Sequence, residues 1–331
     1  MAHALSQMTE SGEKPLLAIV GPTASGKSAL AVWLALRLAG EVVACDSTQL
    51  YRGFDIGTAK PTQAERQGVA HHLIDVLEPT QDATAGNYRE RSIAVLDDLR
   101  SRQRLPIFTV GTGLYLRALL EGLAELPLRC EELRDRLRAS EAEHGPGHLH
   151  KMLERLDPIS AKRIAAADVQ KLIRAVEICL LTNQPLSEVH KSARQPLQGW
   201  RPVKIGLMPD REKLNQRITA RTEHMLANGW LAEVKRLTES GLPEDAKPFD
   251  FIGYRELRAV LRGETSLDEA RAAIQQATRQ YAKRQATWFR READVHWFEG
   301  FGDDAEIQQR ALRAVHEGVN ATGSGPTGNH V

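Results

Sequence analysis

The 331-residue chain has almost no net charge, few aromatic residues and only three cysteines, and the shortages remove whole classes of protein. Cys45, Cys130 and Cys179 are far apart and form no C-x-x-C pair, so neither a disulfide framework nor a cysteine zinc site is expected. Reduced thiols in a cytoplasmic protein fit better. No stretch comes near the roughly 20 apolar residues that span a bilayer, and no basic start leads into an apolar run, so no membrane partner is expected. Lys and Arg number 44 and Asp and Glu 43, a formal charge of +1. That total does not announce a nucleic-acid binder, nor exclude one, because a phosphate backbone senses a local patch. What is present is ordinary globular sequence, 42% hydrophobic and 26% charged, long enough for a main domain and a smaller one.

Leu16 to Val20 reads as a buried strand, and the glycine-bearing segment Gly21 to Ser28 follows at once. Ala29 to Ala39 is rich in Ala and Leu and meets Gly40, which predicts a helix with a glycine stop. Val42 to Cys45 is a second apolar strand with Asp46 at its end. Strand, crossover helix and strand in this order predict an α/β fold with a P-loop NTPase-like core and a mostly parallel sheet. His72 to Val76 is a further candidate strand, Asn87 to Arg104 a helix, and Ile107 to Val110 a strand bounded by Pro106. Ligands of such sheets gather at the carboxyl ends of strands, so Gly21, Asp46 and Gly111 are expected to share one cleft.

From 125 to 200 charged, helix-forming sequence dominates and reads as a mainly helical inserted domain. The core then comprises 15–124 and 201–317, with a return strand at Val203 to Leu207, helices near 211–239, 254–262 and 267–290, and a late strand at Val295 to Phe298. Residues 1–14 are expected to form a flexible N-terminus and 318–331, rich in Gly, Ser and Thr, a disordered tail.

Gly21-Pro22-Thr23-Ala24-Ser25-Gly26-Lys27-Ser28 matches G-x-x-x-x-G-K-[ST] between an apolar strand and a good helix, as a phosphate-binding loop requires. Its glycines let successive N–H groups point at phosphate oxygens, and the following helix turns its positive end to the same anion. Lys27 can reach terminal phosphate oxygens and the Ser28 hydroxyl can join a Mg²⁺ shell. The motif is specific for phosphate but not for chemistry; ATP, GTP or a diphosphate donor would each fit.

The run Asp46-Ser47-Thr48-Gln49-Leu50-Tyr51-Arg52-Gly53-Phe54-Asp55-Ile56-Gly57-Thr58-Ala59-Lys60-Pro61 closely resembles a signature of the tRNA dimethylallyltransferases. The resemblance continues through His71 to Val76, Gly111 to Tyr115, Leu119 to Gly122, Phe251 to Glu256 and Thr278 to Gln285, covering roughly residues 16–298. It implies transfer of a dimethylallyl group from dimethylallyl diphosphate to N6 of the adenosine on the 3′ side of the anticodon, in tRNAs that read codons beginning with U. It also implies Mg²⁺, a tRNA anticodon stem-loop as partner, and a monomer.

Carried across position by position, the resemblance places Asp46 at the adenine N6 and Thr112 beside the reacting centre. Gly21 to Ser28, with Arg217, would hold the donor phosphates. Asp46, Ser47, Thr48 and Gln49, then Gln170, Lys171, Leu172, Ile173 and Arg174, and then Phe251, Ile252, Gly253, Tyr254, Arg255 and Glu256 match segments that contact RNA. There are two departures. Val110 stands where the family has a glycine, and its methyls are expected to narrow the donor pocket or shift the turn. Ala165-Ala166-Ala167-Asp168 replaces a His-Pro-Asn-Asp segment, with an altered helix entry or RNA affinity expected.

An exocyclic adenine amine is a poor nucleophile, and a carboxylate at N6 can take its proton as the C–N bond forms. Asp46 is the candidate, as an orienting group and late proton acceptor; the alternative is a turn cap or a ligand to a Mg²⁺-bound water. Thr58 and Lys60 are open between a phosphate contact and a plain loop role, and His71-His72 reads as packing rather than metal ligation. From Arg271 through Arg291 there is no Asp or Glu. Arg279 and Lys283 share a helical side, and with Arg284 could follow a phosphate backbone. Trp288 and Tyr254 could stack on bases or sit in the core. An adenylate isopentenyltransferase acting on free nucleotides, a small-molecule kinase and a non-catalytic NTP-dependent RNA-binding module are the competing readings.

Overall fold

The computed structural model describes residues 12–124, 126–190 and 194–320. Six strands, β1 (Lys14–Val20), β2 (Gly40–Cys45), β3 (His71–His72), β4 (Leu105–Val110), β5 (Trp200–Leu207) and β6 (Val295–Phe298), form one sheet in the order β3-β2-β4-β1-β5-β6. Every pairing is parallel. Such a sheet must be covered on both faces, and the period of two in β1 shows how this chain does it. Leu16, Ala18 and Val20 enter one core cluster, while Leu17 and Ile19 enter a second on the opposite face.

Helices at Lys27–Leu38 and Ala305–Asn320 belong to the second face; Leu30, Leu34 and Leu38 pack there with Ile307, Ala311 and Val315. The other face takes Leu96 and Leu99 from helix Ala85–Ser101, Tyr115 and Leu116 from helix Gly113–Glu121, and Ile274 and Phe289 from helix Leu267–Phe289. The chain separates into two compact units, one up to Leu120 and from Leu197 on, the other Glu121–Pro196. The second unit is helical, with Glu131–His144, His148–Leu156 and Val169–Thr182 around Leu149, Leu153, Leu172, Ile173 and Val176.

Several elements differ from the sequence expectation. Gly40 does not stop the first helix: Ala39 takes the left-handed conformation (φ 51°), and Gly40 begins β2, where a Cβ would lie 2.8 Å from Ile107 Cδ1. The strand expected over His72 to Val76 contributes only His71–His72 to the sheet, because Leu73 (φ 59°) and Asp75 (φ 56°) turn left-handed. Pro106 lies inside β4 rather than before it; β1 joins β4 only from Ile107, so the missing N–H costs no ladder bond. The single helix expected near 211–239 is two, Arg211–Ala227 and Trp230–Glu239, broken at Gly229 (φ 93°). The last helix continues through Gly318 to Asn320, beyond the point where a tail was expected; 1–11 and 321–331 lie outside the described residues.

Candidate active site

The carboxyl ends of β1, β2 and β4 meet, as their positions in the sequence predict. Gly111 and Thr112, just past β4, both donate N–H bonds to the Cys45 carbonyl at the end of β2, at 2.9 and 3.0 Å. Gly111 presses so closely on Asp46 that a Cβ there would stand 2.1 Å from Asp46 Oδ2. A side chain at that position would displace the Asp46 carboxylate. Val110 is fully buried in the core cluster that also contains Trp230 and Ile274.

Asp46 Oδ1 accepts from the Thr48 N–H at 2.9 Å and from its hydroxyl at 2.7 Å. The turn-capping alternative for Asp46 is therefore real, but it occupies one oxygen. Thr112 Oγ1 accepts from the Ser47 N–H at 3.0 Å and lies 3.3 Å from Ser47 Oγ, tying the two candidate catalytic loops together.

The phosphate loop runs from Gly21 (φ 146°) through Ala24 (φ 64°) and Gly26 (φ 88°). Gly26 caps the helix Lys27–Leu38 without a side-chain bond, so the N–H groups of the first turn keep their capacity for an anion. Lys27 Nζ donates to the carbonyls of Gly21 and Pro22 at 2.9 and 2.8 Å. Burial pushes its pKa down to about 7, opposed by Asp46 and assisted by Arg221. Ser28 is exposed at the helix start.

Arg217 stands beside the phosphate loop, paired with Asp303, whose Oδ1 would lie 2.8 Å from a Cβ on Gly26. Its guanidinium grips both carboxylate oxygens of Asp303 at 2.7 and 2.6 Å. One turn later, Arg221 lies 3.3 Å from Thr23 Oγ1, faces the cavity and interacts with Asp46 and Lys27 through space. Its pKa is lowered mainly by burial. The spacing of four between Arg217 and Arg221 puts both arginines on one helix side, and it is the sequence signal for the second.

One cavity of about 340 Å³ joins these parts. Thr23, Ala24, Asp46, Ser47, Thr48 and Arg221 line its polar side, and Ile218, Met225, Trp230, Phe251, Ile252 and Ile274 its apolar side. Trp230 is fixed there: a Cβ on Gly57 or Gly253 would come within 2.4 and 2.0 Å of its indole. Tyr281 and Arg284 also face the cavity.

The remaining expected site residues divide by burial. Phe251 and Ile252 reach the cavity, whereas Tyr254 is fully buried, donating to Glu233 Oε1 at 2.6 Å and accepting from the Gly57 N–H at 3.2 Å. Tyr254 therefore stacks on no base. Gly253 is covered by Trp230, Glu256 caps the Gly253 N–H, and Arg255 is exposed but paired with Glu256 at 2.8 Å. Gln49 holds its own loop by donating to the carbonyls of Thr58 and Ala59, both at 3.2 Å. Lys60 is buried between Asp55 and Asp75 at 2.7 and 2.5 Å, which rules against a phosphate contact; the Thr58 hydroxyl donates to the Phe54 carbonyl.

In the helical unit, Leu172 and Ile173 are fully buried, so of that segment Gln170 and Lys171 are exposed and Arg174 is bound to Glu177 and the Pro127 carbonyl. Asp168 caps this helix through the Lys171 N–H, so helix entry is intact despite the three alanines before it. His72 binds Glu41 at 2.7 Å, and among the described residues no cluster of three His, Cys, Asp or Glu could hold a metal. Along helix Leu267–Phe289, Lys283 and Arg284 are exposed and Arg279 is partly so. Trp288 lies over Gly113 under the Arg117 guanidinium, with 36% of its surface exposed. Gln285, the last residue of the Thr278–Gln285 stretch, is a buried amide that accepts from the Thr23 N–H at 2.7 Å and donates to the Gly111 carbonyl at 2.8 Å.

Comparison with known proteins gives a consistent picture. A family profile described as IPP transferase matches residues 49–292. The tRNA dimethylallyltransferase of Koribacter versatilis is 49% identical over 300 residues, covering 91% of this chain and 97% of that protein. That of Solibacter usitatus is 49% identical over 301 residues, with 91% and 98% covered. Among solved structures, the tRNA isopentenylpyrophosphate transferase of Bacillus halodurans superposes with a TM-score of 0.69 at 36% identity, over 93% of this chain and 97% of its own. A eukaryotic dimethylallyltransferase acting on tRNA gives 0.76 at 26% identity, over 92% and 79%.

Proposed function

The chain belongs to the IPP transferase family, and from that premise we propose that it transfers a dimethylallyl group from dimethylallyl diphosphate to N6 of the adenosine 3′ to the anticodon, in tRNAs reading codons that begin with U. The observation that carries this reading is that one cavity touches both the phosphate loop, at Thr23 and Ala24, and Asp46. A diphosphate leaving group and an acceptor amine can meet there.

The loop N–H groups, Lys27 and Arg221 take the negative charge that gathers on the diphosphate as its bond to the allylic carbon breaks. N6 forms the new bond to that carbon, and its proton passes to Asp46. Arg221 joins Arg217 as a donor-side arginine; the Arg217–Asp303 pair is partly exposed and abuts Gly26 of the loop. The apolar wall of Ile218, Met225, Trp230 and Ile274 suits an isoprenyl chain and keeps water from an electron-poor carbon.

Mg²⁺ fits this arrangement as a companion of the diphosphate, not as a caged ion. The exposed Ser28 hydroxyl stands at the phosphate end, and no three-ligand cluster is present among the described residues. Mg²⁺ commonly keeps waters and substrate phosphates as most of its ligands. When bound it would neutralise diphosphate charge.

Gln170, Lys171, Arg279, Lys283 and Arg284 would meet the anticodon stem-loop, acting in the cytoplasm and as a monomer. Arg279, Lys283 and Arg284 form no ion pair among the described residues, which supports this role. Purified protein, Mg²⁺ and radiolabelled dimethylallyl diphosphate incubated with unmodified tRNA or with AMP and ATP test the reading. Label in tRNA alone is expected; label in the free nucleotides would instead identify an adenylate isopentenyltransferase.

A further inference from the structure

We infer that Gln285 is a positioning residue that sets the spacing between the donor phosphates and the acceptor-side carboxylate; the inference rests on the dimethylallyl-transfer reading above. Gln285 lies on helix Leu267–Phe289 and is 6% exposed. Its Oε1 accepts from the Thr23 N–H at 2.7 Å and its Nε2 donates to the Gly111 carbonyl at 2.8 Å. Thr23 belongs to the loop that follows β1, and Gly111 to the turn that follows the neighbouring strand β4.

Each partner touches a residue assigned to the transfer. Thr23 lies within the phosphate loop and touches Arg221. Gly111 is packed against the Asp46 carboxylate, and its N–H is fixed on the Cys45 carbonyl at 2.9 Å. One amide therefore spans from the leaving-group cradle to the proton acceptor. Tyr281, one turn earlier on the same helix, donates to the same Gly111 carbonyl at 3.3 Å, so the helix grips that turn twice.

The side-chain type follows from the two partners. A rigid planar amide offers an acceptor and a donor at once. Glutamate at the same length keeps the acceptor and, when ionised, loses the donor. Methionine loses both, and asparagine is one methylene too short to reach both. Burying an amide is costly unless its bonds are made, and here both ends are satisfied. A pair of loops so linked cannot drift apart by even part of an ångström without stretching one of these bonds. Transfer between bound substrates is steeply sensitive to such a displacement, with 1 Å costing about 100-fold.

The test compares wild-type protein with Gln285→Met and Gln285→Asn for transfer to tRNA, donor KM, tRNA affinity and thermal midpoint. Each variant is expected to lose about 10- to 100-fold in kcat. Donor KM and tRNA affinity should each move by less than about threefold, the signature of an interaction needed only when both substrates are aligned. Should Gln285→Met fail to fold, Gln285→Glu keeps the shape and the Thr23 contact and should lower kcat in the same range. Unchanged kcat in the variants of an active wild type would overturn the inference alone. So would kcat, affinities and folded fraction falling together, which is the behaviour of a merely structural amide. Wild-type protein that transfers nothing would overturn both the reaction and this role.

Discussion

Tyr254 donates its phenolic hydrogen to Glu233 Oε1 at 2.6 Å, and both side chains are buried beneath the loop that lines the cavity. Glu233 Oε2 in turn accepts from the N–H groups of Asp55 and Ile56 at 3.2 and 2.9 Å, while the Gly57 N–H donates to Tyr254. The Asp-Ile-Gly-Thr run is thus held from below by one carboxylate and one phenol. Burial and the neighbouring Glu233 charge raise the Tyr254 pKa far above its ordinary value, so it stays a donor at all ordinary pH.

Tyr254→Phe should therefore lower stability by about 1–3 kcal/mol, because it strands a buried carboxylate oxygen and a backbone N–H. Denaturant unfolding measures this directly. Affinity for tRNA in the folded variant should be unchanged, since the ring meets no ligand; a selective loss of RNA binding without loss of stability would contradict the placement.

Arg221→Ala should raise donor KM by about 10- to 100-fold, the range for losing a charge-assisted bond to phosphate. Arg217→Ala should raise it by a smaller factor, because Arg217 must exchange its partly exposed pair with Asp303, which contributes about 0–1 kcal/mol, for a phosphate contact. Steady-state kinetics of the two variants should rank them in that order.

Donor binding should take up a proton at pH 8. With its pKa pushed down to about 7, the free Lys27 is mostly neutral there, and an anion beside it restores the charged form. Donor affinity should fall by up to about tenfold per pH unit above 7. Calorimetry in buffers of different ionisation enthalpy would detect the uptake, and Lys27→Arg should abolish it.

Glu41 links β2 to the Arg102 and Arg104 guanidiniums at 2.5 and 3.1 Å and to His72. The Arg102 contact is the chief reason its pKa is pulled down to about 2. A depressed carboxylate stabilises the fold fully above its unfolded value of 4.5, and that contribution is lost as pH falls to about 2. Glu41→Gln should therefore be less stable than wild type at pH 7, with the difference shrinking between about pH 4.5 and 2 in unfolding titrations.

The sheet and the site were unequally legible in the sequence. Strand ends are marked by apolar runs meeting Gly21, Asp46 and Gly111, so their convergence followed from the parallel α/β rule. The phosphate loop needed only its spacing. What escaped depended on tertiary direction. Leu172, Ile173 and Tyr254 lie in segments that resemble RNA-contacting ones, yet each side chain turns inward, and the segment alone does not say which of its residues do so. Lys60 looked like a surface cation because Asp55 and Asp75, its partners, are separated from it in sequence by 5 and 15 positions. The role of Gln285 is hidden in the sequence because a neutral amide carries no charge to mark it, and its partners lie 262 and 174 residues away.

The measurement nearest the centre of the account is single-turnover transfer of labelled dimethylallyl groups to tRNA by wild-type protein and Asp46→Ala, with donor affinity followed in parallel. Wild type should label tRNA, and the variant should be slower by about 100- to 10,000-fold while binding the donor as before. Equal rates would show that the carboxylate across the cavity from the phosphate loop takes no part in the transfer.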